Sequence, residues 1–183
     1  MKKIKTYEQF KYIKLFEDEQ KPNTDGTDEI ALLIIKNSIK YLMTKFQFFI
    51  VFFTRLRIAE YSGIETMATD GKSILYNPTF VKKCGVAKTT FILIHEILHN
   101  ANLHFLRVGN RNSTLWNVAG DYAINGQIKD MLNDMKISAT DIEIPTDILL
   151  DTKYKNMSAE GIYKYLEETM PPPPPKPKPE PEP

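Results

Sequence analysis

The sequence predicts an α+β fold, in which a small antiparallel sheet packs on a long apolar helix and on the helix that follows it. Three observations carry this expectation. Apolar residues recur at helical spacing before residue 45 and again after residue 88, β-branched and aromatic stretches lie between them, and the pair Asp70-Gly71 marks a hairpin turn.

With 183 residues, 42% of them hydrophobic, the chain can bury one core and is too short for two ordinary domains. The expected organisation is an N-terminal extension over residues 1–27, a folded domain over 28–169 and a disordered proline-rich tail over 170–183. A short helix is expected over 6–16, followed by a loop with Pro22, Asn23 and Gly26 as breakers.

Asp28 is expected to cap a helix running to about Thr44, because Ile30, Leu33, Ile34, Asn37 and Tyr41 form a stripe that should pack on the sheet. Strands are expected over 48–59, 64–69 and 73–76, and Asn77-Pro78 ends the sheet. Residues 88–107 read as one long buried helix, and a polar loop over 109–113 separates it from a second helix over 115–132, capped by Ser113 or Thr114. An irregular segment over 134–154 precedes a last helix, capped by Ser158 and ending near Thr169. The proline-rich tail alternates proline with Lys and Glu, an extended composition that cannot form a core.

Charge limits the function classes. Lys plus Arg number 24 against 23 Asp plus Glu, a net charge of +1 with no field to gather nucleic acid or an anionic membrane. The apolar run over 46–53 is far below the roughly 20 residues of a spanning helix. A single cysteine, Cys84, and the absence of an apolar signal core in residues 1–13 point to a reducing, cytoplasmic compartment. Function is therefore expected to reside in a local site.

That site is His95-Glu96-Ile97-Leu98-His99. Residues four apart on a helix differ by roughly 40° in direction, so His95 and His99 can reach one zinc ion per chain. Glu96 lies on the same arc and is expected to act as general base toward a metal-activated water, the chemistry of peptide-bond hydrolysis. Two imidazoles and a carboxylate inside the apolar run around residues 91–98 would also be costly to bury without a partner.

A third ligand is needed. Asp121 is favoured, because Asn117, Asp121 and Asn125 form a polar row at i, i+4 and i+8 on the second helix. His104 is the alternative, available only if the first helix breaks near residues 100–102, and otherwise a substrate-facing or supporting group. It misses by one residue the third-histidine spacing of H-E-x-x-H-x-x-G-x-x-H enzymes.

Four blocks resemble a known family. They are Met67-Ala-Thr-Asp-Gly-Lys-Ser-Ile-Leu-Tyr-Asn-Pro78, the His95 to His99 segment continuing to His104 and Arg107, Trp116-Asn-Val-Ala-Gly-Asp-Tyr-Ala-Ile-Asn125, and Met157-Ser-Ala-Glu-Gly-Ile-Tyr163. Together they resemble the bacterial and phage metallopeptidase domain that commonly precedes a von Willebrand factor A-like domain. The resemblance implies a zincin-like α+β domain with His95 and His99 as zinc ligands, Glu96 as catalytic carboxylate and Asp121 in the aspartate slot. It also implies that an edge strand over 73–77, with Ser73 and Leu75, pairs with a protein or peptide substrate. The chain departs from the usual arrangement in leaving no room for the A-like domain after Thr169.

The start, Lys5-Thr-Tyr-Glu-Gln-Phe10, resembles N-terminal segments of tailed-phage proteins trimmed after glutamate, with Leu15-Phe16-Glu17 as the cleavage candidate. This places the chain in a bacterial or infected cell, or in a virion. A non-catalytic alternative is a zinc-stabilised assembly module whose proline-rich tail docks in a partner's aromatic groove.

Overall fold

Asp28 opens the first helix, its side chain accepting a hydrogen bond from the Ala31 amide and pairing with Lys82. The computed structural model describes residues 27–169. The helix expected over 6–16, the cleavage candidate at Glu17 and the proline-rich tail lie outside them.

Helix α1 spans Glu29–Lys45. It buries Ala31, Ile35, Ser38 and Leu42, whereas Ile30 and Leu33 are 63% and 58% exposed. The buried face is thus turned by one residue, about 100°, from the expected stripe. The reason is its partner. α1 packs chiefly against the helix that carries the histidines rather than on the sheet, and Ser38 Oγ donates to the carbonyl of Val86 across that contact.

The apolar run that follows is helical and does not form the strand expected from residue 48. A 3-10 turn over Gln47–Phe49 leads into α2, Ile50–Phe53. Phe46 and Phe49 are buried and Phe48 is 56% exposed. An unbroken apolar run has no period from which helix and strand can be told apart, and spacing three apart buries one face here.

Strands β1 (Arg57–Glu60), β2 (Met67–Thr69) and β3 (Ser73–Tyr76) form a sheet in the order β1-β3-β2. β2 and β3 are the expected antiparallel hairpin, with Asp70 Oδ1 accepting from the amides of Lys72 and Ser73 in the turn. β1 runs parallel to β3, so the sheet is mixed rather than antiparallel. β3 is therefore the central strand. Its backbone groups are engaged on both sides, which overturns the expected pairing of Ser73 and Leu75 with a substrate strand. Ile74 and Tyr76 point into the core, while Ser73 and Leu75 occupy the opposite, half-buried positions.

Asn77 caps α3, Pro78–Ala101, with Pro78 in the first turn. The range holds two helical pieces that meet at a break, Gly85 (φ 68°, ψ −176°): a short first piece precedes it, and the piece that carries the histidines follows it, close to the start expected at residue 88. Only glycine adopts that backbone geometry at little cost. Phe91, Leu93, Ile94 and Ile97 are at most 1% exposed, so α3 is the spine of the core. It ends at Asn102, and Leu103 takes a left-handed conformation (φ 51°) before the short α4, His104–Arg107.

α5, Ser113–Asp134, is capped by Asn112, whose side chain accepts from the Leu115 amide, rather than by Ser113 or Thr114. The segment over 134–154 is largely irregular, as expected, with a 3-10 turn at Thr152–Tyr154. Ser158 Oγ accepts from the Gly161 amide ahead of α6, Ala159–Thr169, which packs on α5 around Trp116, Ile162 and Tyr163. The α+β class holds. Among the described residues, no helix is long and apolar enough to cross a membrane.

Candidate metal centre

The two helices that cross in the core each bring polar side chains to one point. From α3, His95 and His99 lie one turn apart with their Nε2 atoms 3.0 Å from each other. From α5, Asp121 places Oδ1 3.1 Å from His99 Nε2 and 3.4 Å from His95 Nε2. The three donor atoms thus form a nearly equilateral triangle, and the group can hold a metal ion. A tetrahedral site with bonds of about 2.0–2.1 Å has ligand-to-ligand edges of ~3.3 Å, so the spacing fits a small divalent cation such as zinc.

Neighbours set the direction of each donor. His95 Nδ1 stands 2.9 Å from Asn125 Oδ1, and Asn125 Nδ2 donates to the carbonyl of Leu149 at 3.0 Å. The amide oxygen of Asn125 therefore faces the ring and accepts the Nδ1 proton, leaving the Nε2 lone pair for a metal. Asn117 Nδ2 donates to Asp121 Oδ2 at 3.4 Å, leaving Oδ1 toward the histidines. The whole polar row of α5 thus converges on the cluster.

Electrostatics is consistent with a place made for a cation. Burial alone would push the His95 imidazole down, but hydrogen bonding to Asp121 and the charges of Asp121 and Glu96 raise it to about 9. Burial works against ionisation of Asp121, yet its bonds to His95 and His99 pull it to about 2. Burial also keeps His99 below its ordinary value, with the His95 charge adding to it. In the metal-free chain one proton, on His95, sits among three groups that all offer lone pairs. A metal cation could take the place of that proton.

Glu96, on the next position of α3, is buried. Burial raises its carboxyl to about 7, with the His95 charge opposing and the Asp121 charge adding to the rise. A carboxylate that titrates near neutrality can take and return protons.

His104 does not enter the triangle. The break at Asn102 and Leu103 folds it back so that its Nδ1 lies 3.2 Å from His99 Nδ1, the nitrogen facing away from Asp121. Its ring meets Trp116 edge-on, and the Trp116 indole donates to the His104 carbonyl at 2.7 Å. Burial, with the charges of His99 and Arg107, lowers it to about 4, so it is neutral at physiological pH. Ser73 and Leu75 belong to β3 and are not among the groups that meet at the triangle.

Gly120 has no part in the sequence-based site, yet it bears directly on it. A Cβ there would lie 2.8 Å from His104 Nδ1 and 3.6 Å from His99 Cε1, so only glycine lets α5 approach this closely. A glycine within a helix costs up to about 1 kcal/mol relative to alanine, and that mismatch is the signal by which it could have been found.

A family model described as "Putative metallopeptidase domain" matches residues 35–175. No curated protein and no solved structure matches the chain.

Proposed function

The chain belongs to the Putative metallopeptidase domain family, and from that premise we propose that it is a zinc-dependent hydrolase that cleaves peptide bonds in an extended protein segment. The observation that carries this reading is the triangle of His95, His99 and Asp121, with buried Glu96 next to His95 in sequence and electrostatically coupled to both His95 and Asp121. A zincin-like arrangement of α3 and the sheet is part of the same reading.

In this reading His95 and His99 would offer Nε2, and Asp121 Oδ1, to a single zinc ion. When bound, the ion lowers the pKa of water toward about 7 and polarises the scissile carbonyl. Glu96 is the general base. Its carboxylate takes a proton from the attacking water and passes it to the departing amine nitrogen, so that one C–N bond breaks as one C–O bond forms. Asn125 and Asn117 hold the ligands in place, and the apolar wall of α3 lowers the local dielectric around the charges.

The test is metal analysis of the purified full chain, followed by peptide cleavage by wild type and by Glu96→Gln. The expected result is about one zinc per chain, cleavage that a chelator stops, and a Glu96→Gln protein that keeps its zinc and loses at least about 100-fold in rate. Full zinc occupancy without cleavage across varied peptide libraries would leave a metal-stabilised assembly module as the better account. A protein that takes up no divalent metal would end both readings.

A further inference from the structure

His99 faces Asp121 through Nε2 and His104 through Nδ1. If Nε2 keeps its lone pair for a cation, the single ring proton of neutral His99 must be on Nδ1. A nitrogen only 3.2 Å away must then accept it, which requires His104 Nδ1 to be unprotonated and the His104 proton to be on Nε2. Metal-bound histidines usually donate this proton to a carboxylate, a backbone carbonyl or water. Here the acceptor is a second imidazole.

The surroundings of that imidazole are costly. On a continuous helix, residues 99 and 104 would diverge by about 140°. Only the left-handed Leu103 (φ 51°) returns His104 to His99, and a non-glycine residue adopts that conformation only under strain. Arg107 Nη1 donates to the Asn102 carbonyl at 2.8 Å and pins the turn, while Arg107 also forks onto Glu160 of α6. The Trp116 indole holds the His104 carbonyl from a third side. The slot itself exists because residue 120 has no Cβ. A strained turn, a helical glycine and a buried indole all converge on one uncharged ring.

We propose that His104 is a positioning residue: it accepts the Nδ1 proton of His99, thereby fixing the tautomer and orientation with which His99 meets the metal, and the Leu103 turn and Gly120 serve to seat it. This rests on the metal-centre reading above. Because the acceptor is uncharged, it orients His99 without adding negative charge, and Asp121 is left as the one anionic ligand.

The experiment measures zinc affinity by competition with a chromophoric chelator on full-length wild type, His104→Leu, His104→Asn and Gly120→Ala, with His95→Ala as reference. The Oδ1 of asparagine stands close to where histidine carries Nδ1, so it can accept the same proton. His104→Leu and Gly120→Ala are expected to lose about 10–100-fold in affinity, and His104→Asn to recover most of it. Equal weakness of the Asn and Leu variants would assign His104 to packing alone, and Leu binding within about twofold of wild type would exclude any support of His99. Either result overturns the proposal while the metal centre stands, provided His95→Ala has lost zinc. If His95→Ala binds as wild type does, the metal centre itself fails and this proposal with it.

A second readout needs no variant. Side-chain 15N spectra of the zinc-loaded chain should show His99 protonated on Nδ1 and His104 on Nε2 only. A proton on His104 Nδ1 would overturn the assignment.

Discussion

His95 Nδ1 and Asn125 Oδ1 are 2.9 Å apart across the α3–α5 interface, and this contact between side chains 30 residues apart in sequence sets which nitrogen His95 turns toward Asp121. The same amide donates to the Leu149 carbonyl, so the irregular segment before α6 is tied to the histidine it supports.

Replacing Asn125 with leucine should therefore free His95 to turn. Zinc affinity is expected to fall by about 10–100-fold, measured by chelator competition, while Asn125→Asp, which keeps an acceptor, stays much closer to wild type. An unchanged affinity for the leucine variant would show that His95 needs no support from α5.

The raised His95 value has a sign that can be tested. Its folded-state pKa of about 9 exceeds the ordinary 6.5, so the His95–Asp121 contact stabilises the metal-free fold fully below pH 6.5 and loses that contribution as pH rises through 9. Zinc must displace the same proton. At pH 7 its binding should release about one proton, seen as a buffer-dependent heat in calorimetric titration, and affinity should climb about tenfold per pH unit toward pH 9. Affinity that is flat from pH 7 to 9 would contradict it.

Asp121 supplies the one carboxylate of the triangle. Its depressed pKa means that its contribution to the metal-free fold is present above pH 3.8 and is lost as pH falls through about 2. In wild type, free zinc at 100 times its dissociation constant should stabilise the fold by about 2.7 kcal/mol, visible as a higher melting temperature. Asp121→Asn should abolish most of that increment. An equal zinc-dependent shift in both proteins would remove Asp121 from the site.

The turned face of α1 makes a stability prediction. Ile35 is 1% exposed and Ile30 is 63% exposed. Ile35→Ala should cost about 2–5 kcal/mol in urea unfolding, whereas Ile30→Ala should stay within about 0.5 kcal/mol of wild type. The reverse order would restore the stripe expected from spacing alone.

Local spacing made much of the centre legible. Helical periodicity puts His95, Glu96 and His99 on one arc whatever the rest of the chain does, and it lines up Asn117, Asp121 and Asn125 on another. Helix caps such as Asp28 and Ser158, and the Asp70-Gly71 turn, are likewise set within four or five residues. These features were readable because their energetics are local.

The rest depended on contacts between distant segments. The run after Phe46 carries no period, so burial of Phe46 and Phe49 against the core decided for helix. β1 lies parallel to β3 because the chain returns to the sheet after a detour through β2, and this made β3 a central strand that no substrate can pair with. The role of His104 hinged on one left-handed residue, Leu103, whose conformation is held by Arg107 from beyond the turn. The sequence by itself determined which side chains share a helix face, because that follows from the 3.6-residue repeat. Which faces meet, and hence which donors converge, was decided only by the tertiary structure, because it depends on the close packing of α1, α3 and α5 and on the missing Cβ of Gly120.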